Sequence, residues 1–441
     1  MTCFAEAAIY RGPRSISNPE QAGVNVAPAI DSALPPPPIS RASRCLNTTS
    51  ERPKDMVGDV AAPLPIGEPR AIPAPALDTF SVVSGKGYIA GLDGLRAISV
   101  ALVMIAHFGF KDIVPGALGV TVFFFISGFL ITTLLIGEND RTGTINIKDF
   151  YIRRFLRLAP ELYPFLLITA IGGILYAKPT TWIDVASASL YFTNYVYIHY
   201  HSVTEGLGTA LHWPHLWSLA VEEHFYLTYP VLIFFLRRKP RRLLAVLVGV
   251  CVAGMVWRVT AHHLGFGDSY TYVASECRMD SIAYGCIAAI AFYLYGGRLQ
   301  RSQGWALILL ILGGVCLLAS LLVRNNEFRQ GLRYTVQGLG LLGAFWGLFF
   351  CPLGQWIRGL LEFGPLRWLG RRSYALYLWH LEVLYVLYGR GLYSPDNHTF
   401  LQGVFFCVMG VAATALIAEG SFHAFLQPMQ ALRRRFGSHN A

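Results

Sequence analysis

GWALILLILGGVCLLASLLV, Gly304 to Val323, is twenty residues without a charge. At about 1.5 Å of helical rise per residue it matches the ~30 Å hydrocarbon core of a bilayer. Tyr334 to Cys351, YTVQGLGLLGAFWGLFFC, repeats the pattern. Outward from these two, further apolar blocks fall at approximately 94–111, 116–136, 158–177, 219–236, 243–263, 281–297, 374–389 and 401–425. The count is ten, and it predicts an all-α, polytopic membrane helix bundle. Composition agrees. Charged residues are 14% of the chain and hydrophobic residues 54%, where a soluble domain carries about 25% charged.

The net charge of +10 does not mark a nucleic-acid binder, because the basic residues cluster between apolar blocks. Placing the N-terminus inside puts Lys148, Arg153, Arg154 and Arg157, then Arg237 to Arg242, Arg298 and Arg301, Arg358, Arg367, Arg371 and Arg372, and Arg433 to Arg435 in cytoplasmic loops. Both termini are then cytoplasmic in a plasma membrane, the bacterial inner membrane being expected. Trp182 to Tyr197 contains Asp184 and Asn194. As a full span it would move Arg237 to Arg242 outside, so it is read as re-entrant or interfacial.

Residues 1–86 hold more than half of the 24 prolines and no hydrophobic periodicity. They read as a disordered cytoplasmic extension, ahead of a membrane domain over 87–428 and a short basic tail over 429–441. The eight cysteines show neither a C-x-x-C pair nor zinc spacing, and no metal is expected.

Ionisable residues inside apolar blocks are costly and point to a site. Arg96 and His107 are eleven positions apart, so they share a helix face about 16 Å apart. A coenzyme A thioester has anionic phosphates at one end and its reactive carbon at the other. Arg96 with Arg153, Arg154 and Arg157 forms a rim suited to the phosphates, and the pantetheine arm would reach towards His107. His107 is the expected general base or acyl-carrying nucleophile. Glu222 and Glu223 point about 100° apart on a helix, so they are not expected to share one partner. They are placed at the outer end, level with His107, to orient it or bind an acceptor. Arg278 and Asp280, expected to bind substrate or pair with each other, and Tyr377 and His380 complete the set. Gly119 to Ile131 reads as a close-packing surface, with Ser127 able to lend a hydroxyl.

Six stretches, in order, carry a family resemblance: GLDGLRAISVALVMIAHF, GVTVFFFISGFLI, DFYIRRFLRLAPELYP, LWSLAVEEHFYLTYP, RMDSIAYG and GRRSYALYLWH. From Tyr88 to about Gln427 the chain resembles the acyltransferase-3 family of membrane acyltransferases, typified by polysaccharide O-acetyltransferases. The resemblance implies a cytoplasmic acyl-CoA donor, expected to be acetyl-CoA, and an envelope or secreted glycan acceptor on the outer side. It places functional residues at Arg96, His107, Arg154, Arg157, Trp217, Ser218, Glu222, Glu223, Ser373, Tyr374, Tyr377 and His380. His224 stands where the family usually has Gln, and Glu419-Gly420-Ser421 matches the final family motif only loosely. The sequence shows no hydrolase-type domain after the last helix, so the acceptor step is expected in the bundle or through an outer partner protein. The competing expectations are a transporter or flippase for a lipid or acyl intermediate, disfavoured because no internal repeat is evident, and an acyltransferase acting on a non-glycan acceptor.

Overall fold

The computed structural model describes residues 89–175, 180–203, 211–299, 302–390 and 399–435. The expected extension over 1–86, Arg301 and residues 436–441 of the expected tail lie outside them. Among the described residues every regular element is helical. In order they are α1 (Leu92–Ile105), α2 (Gly116–Thr142), α3 (Ile147–Leu175), α4 (Trp182–Ser189), α5 (Thr193–Val203), α6 (Trp217–Leu236), α7 (Pro240–His263) and α8 (Asp268–Val273). They continue with α9 (Ser275–Leu299), α10 (Gln303–Leu322), α11 (Arg333–Phe350), α12 (Pro352–Leu361), α13 (Gly364–Arg371), α14 (Ser373–Gly389), α15 (Phe400–Ser421) and α16 (Gln427–Arg435).

Among the described residues eight helical stretches are long and apolar enough to cross a membrane, and nine if the Phe328–Phe350 and Pro352–Leu361 pair, bent by 94°, counts as one span. The remaining expected block, 374–389, is α14, whose 17 residues rise about 26 Å. Each expected block therefore meets a helix, and the chain is an integral membrane protein.

The burial pattern separates centre from periphery. The spans Gly116–Thr142 and Asp268–Gly296 are 67% buried in their apolar windows, while Gln303–Leu322 is 17% buried. Leu312, Val315 and Leu318 point away from the protein, which suits lipid and would be costly in water. At the centre α2 and α9 touch backbone to backbone. A Cβ on Gly128 would strike the Ile282 carbonyl, and one on Gly285 the Phe125 carbonyl. The small residues expected to be structural are what brings these helices together. Phe125, Phe129, Phe292, Phe345 and Phe349 fill the space beside them with edge-on ring contacts.

Hydrogen bonds fix the directions of the helices around the site. The Tyr151 hydroxyl donates to the Leu227 carbonyl at 2.8 Å, and the Trp213 indole to Thr169 Oγ1 at 2.9 Å. Residue numbers rise along α3 as they fall along the His212-to-Leu236 stretch, so α3 and α6 are antiparallel. Ser127 meets Tyr226, and Thr132 Oγ1 meets Tyr229 Oη at 2.7 Å, so α2 and α6 run parallel.

The ambiguous segment, Trp182 to Tyr197, is broken into α4 and α5, eight and eleven residues long. Its two ends meet. His212 Nδ1 lies 2.8 Å from Thr180 Oγ1, and the His212 amide donates to Asp184 Oδ1 at 3.0 Å. The chain enters and leaves this segment at one level, which is the geometry of a re-entrant hairpin and leaves the direction of α6 unchanged. At the tip Tyr191 has φ +58°, the sole non-glycine residue with positive φ among the described residues.

Candidate active site

His107 sits where α1 stops being regular. The helix loosens into a π turn over Ala106–Phe110, and Gly109 takes φ +112°, a conformation that needs glycine. The bend leaves the His107 side chain exposed at the helix end. Its Nδ1 lies 2.9 Å from the Val103 carbonyl. A carbonyl only accepts, so Nδ1 carries the proton, and Nε2 is the nitrogen that would act as the base in a neutral ring.

The His107 ring stands 5.0 Å from that of His380, centroid to centroid. His380 is fully buried on α14. Its Nδ1 donates to the Tyr377 carbonyl at 2.6 Å, and its Nε2 has no partner among the described residues. His215 lies 5.5 Å from His380 and 5.7 Å from Tyr377, ring to ring. The Tyr377 hydroxyl donates to the His215 carbonyl at 2.7 Å, so the Ser218 hydroxyl, 2.6 Å away, must donate to Tyr377 Oη. Three segments remote in sequence, the end of α1, the start of α6 with the turn before it, and α14, thus bring together three imidazoles and two hydroxyls.

A second group lies further along α6. Ser218, Glu222 and Tyr226 recur every four residues, so they share a face, about 6 Å apart per step. Arg154 of α3 donates from Nε to Glu223 Oε1 at 2.7 Å and from Nη2 to Glu222 Oε2 at 3.4 Å. Its guanidinium lies over the Tyr226 ring, 3.5 Å from the centroid. The Tyr226 hydroxyl closes onto Ser127. Arg157 is near enough to act on the charge of Glu222.

These contacts change three expectations. Arg154 is not a rim residue, because α3 begins at Ile147 rather than near 158 and Arg154 lies two turns inside the helix. Glu222 and Glu223 do share a partner, despite their angular separation, because a guanidinium is a fork whose nitrogens span both. The two carboxylates are therefore matched to Arg154 and do not lie directly against His107. Arg153 turns the other way, to Glu138 at 2.9 Å, and ties α2 to the start of α3.

Arg96 faces Asp93 at 3.8 Å, among Arg358, Arg367 and Arg371 of α12 and α13. Arg358 packs on Gly91, while Arg367 and Arg371 act on the Asp93 charge. In the sequence Arg96 is expected at the phosphate rim, whereas Arg358, Arg367 and Arg371 are assigned to orientation alone. His215, immediately before the quoted LWSLAVEEHFY stretch, and Tyr226, inside it, were also missed as site residues.

Arg278 and Asp280 do not pair, and Asp280 does not join the site. Two positions apart on a helix, they point about 200° apart. Asp280 receives Arg258 Nη1 at 2.9 Å with both side chains fully buried, and Ser281 takes its other oxygen at 3.3 Å. Arg278 is also fully buried. Its Nη2 donates to Thr121 at 3.1 Å, while Nε and Nη1 have no partner among the described residues. It lies 3.7 Å from the Tyr334 centroid and 5.7 Å from that of Trp217, the residue before Ser218. A desolvated cation–π contact stabilises by about 2 kcal/mol. A buried ion without a counter-charge costs several kcal/mol, so the rings offset only part of it.

Among the described residues no group of three or more His, Cys, Asp or Glu is arranged to hold a metal.

A polytopic helix bundle with histidines, hydroxyls and a carboxylate–arginine group gathered from distant helices defines a membrane enzyme architecture. Comparison with known proteins supplies the family. The model of the acyltransferase-3 family, described as an acyltransferase domain, matches residues 89–419, and the chain belongs to that family. It is 30% identical over 361 residues to peptidoglycan O-acetyltransferase OatA of Listeria monocytogenes, covering 78% of this chain and 56% of that protein. It is 32% identical over 358 residues to O-acetyltransferase OatA of Staphylococcus aureus, covering 78% and 57%. The chain thus spans little more than half the length of these relatives. No solved structure matches it.

Proposed function

We propose that the protein is a membrane O-acyltransferase that moves an acyl group, acetyl being the expected one, from acyl-CoA to a hydroxyl of an envelope, exported or secreted glycan. One observation carries the reading: His107, held through Nδ1 at an accessible helix end, stands ring to ring with the buried His380. The names of the OatA relatives support an acetyl group and a glycan acceptor.

In this reading the acceptor hydroxyl gives its proton to His107 Nε2 as its oxygen attacks the thioester carbonyl carbon. The C–O bond forms, the C–S bond breaks, and the departing thiolate takes the proton back from the imidazolium. Neither a metal nor a redox step enters the balance. Ser218 and Tyr377 flank the reacting centre, and Trp217 forms a wall on the acceptor side. Glu222, Glu223 and Arg154 form an ion-paired group one turn further in, which holds α3 against α6 around the path of the donor. Arg96, with Arg367 and Arg371, lies nearest the end where the phosphates would sit, and Arg157, a turn beyond Arg154 on α3, would meet the donor further in. The positive-inside rule puts that end in the cytoplasm and both termini with it, in a bacterial inner membrane.

The test is transfer of radiolabelled acetyl from acetyl-CoA to a glycan acceptor by the purified protein in nanodiscs. His107→Ala is expected to abolish label transfer while the melting temperature stays unchanged. Full transfer by a folded His107→Ala protein would remove the mechanism.

A further inference from the structure

Arg278 has no role in the chemistry above, yet its burial makes it the least compensated cation in the described structure. It is fully enclosed. The neighbouring carboxylate, Asp280, is committed to Arg258. Among the described residues only Thr121 accepts a hydrogen bond from it, and Nε and Nη1 have no partner there. The walls are the rings of Tyr334, Phe124, Tyr272 and Trp217, with centroids 3.7, 5.6, 5.6 and 5.7 Å from the guanidinium carbon.

A guanidinium does not shed its charge by losing a proton. Enclosed among rings, with Nε and Nη1 unpartnered among the described residues, the guanidinium keeps capacity for an anion, and a carboxylate would engage it in bidentate fashion through Nη2 together with Nε or Nη1, Nη2 then being shared with Thr121. Position decides which substrate brings it. Thr121 and Trp217 stand near the starts of α2 and α6, and Tyr334 near the start of α11. Trp217 adjoins Ser218, which contacts Tyr377 beside His380. This is the His107 end of the bundle, away from the Arg96 group. We infer that Arg278 is a carboxylate-recognition residue for the acceptor, selecting a glycan that bears an acidic group. The inference rests on the acyltransferase reading for the identity of the bound molecule as an acceptor.

The probe is a hyaluronan tetrasaccharide, with glucuronate carboxylates either free or methyl-esterified, added to the full chain in nanodiscs. Thermal stabilisation reads binding without chemistry, and acetyl transfer reads use. The wild type is expected to be stabilised by the free acid and not by the ester, and to prefer the acid about tenfold or more in kcat/KM. Arg278→Gln should lose both differences with the KM for acetyl-CoA unchanged, and Arg278→Lys should keep part of them. Equal stabilisation of the wild type by acid and ester overturns the assignment. So does an Arg278→Gln protein that keeps the preference, or one that changes only the KM for acetyl-CoA. If Arg278→Gln does not fold, the acid–ester comparison on the wild type and Arg278→Lys decides. Binding discrimination without any acetyl transfer would remove the acyltransferase reading and leave the carboxylate site in place.

Discussion

His107 and His380 hold their imidazole rings 5.0 Å apart, tilted by 48°. One ring is exposed and one is fully buried. The buried ring is anchored through Nδ1 to its own helix, so it forms a fixed wall against which His107 is oriented. His380→Phe keeps the volume and removes the nitrogen. It should lower kcat by about 100-fold, the lower range for a group assisting proton transfer, with the KM for acetyl-CoA unchanged. Steady-state kinetics on the purified variant checks this. An unchanged kcat would reduce His380 to packing.

Arg154 was first expected to grip phosphate, and its contacts predict a different phenotype. Removing the guanidinium in Arg154→Gln leaves Glu222 and Glu223 as adjacent buried charges. Breaking a buried pair from one side costs about 3–5 kcal/mol, so the melting temperature should fall steeply. Adding Glu222→Gln and Glu223→Gln should restore much of the loss, because no uncompensated charge is then left. A protein whose stability is unchanged by Arg154→Gln, with only a raised KM for acetyl-CoA, would return Arg154 to the phosphate rim.

The fold could be read from the sequence because lipid imposes long charge-poor blocks, and each of the ten blocks met a helix. The site was legible only where residues are locally costly. His107 and His380 are visible for that reason, since an imidazole in an apolar run needs a cause. The start of α3 was misplaced by eleven residues because Ile147 to Arg157 looks too polar for a span. Its charges are satisfied by Glu138, Glu222 and Glu223 on other helices, and no local window contains those partners. The same blindness produced the false Arg278–Asp280 pair. Closeness in sequence suggested an interaction that helical rotation forbids, while the true partner, Arg258, lies on another helix.

Asp280 is accordingly a structural residue. Both oxygens are engaged, and Arg258 also donates to the Gly331 carbonyl at 2.8 Å and Thr335 Oγ1 at 2.9 Å. This joins α7, α9 and α11. Asp280→Asn should destabilise the protein by about 3–5 kcal/mol through the orphaned Arg258. In the fraction that remains folded, the KM for a glycan acceptor should be unchanged. Thermal melting with acceptor titration separates the two effects, and a raised acceptor KM at normal stability would restore Asp280 as a binding residue.

The re-entrant hairpin offers the last test. Its ends are joined by His212 to Thr180 and Asp184, and its far side is held at a second ring. His224 Nδ1 lies 2.6 Å from Ser275 Oγ, Ser275 receives Asn194 Nδ2 at 3.0 Å, and the His224 ring also bonds the Tyr191 backbone. Tyr191 holds a left-handed conformation costing about 1–2 kcal/mol, which persists only where surrounding contacts enforce it. His224 is next in sequence to Glu223, so the clamp on the hairpin tip and the Arg154 group share one helical turn. A glutamine can both donate to a carbonyl and accept from a hydroxyl, whereas leucine can do neither. His224→Gln should therefore keep activity within a few-fold, and His224→Leu should lose about tenfold or more as the tip relaxes and Glu223 shifts with it, a buried hydrogen-bonding pair being worth about 1–3 kcal/mol. Limited proteolysis at the hairpin should speed up in His224→Leu alone. Equal activity and equal cleavage in the two variants would separate the hairpin from the chemistry.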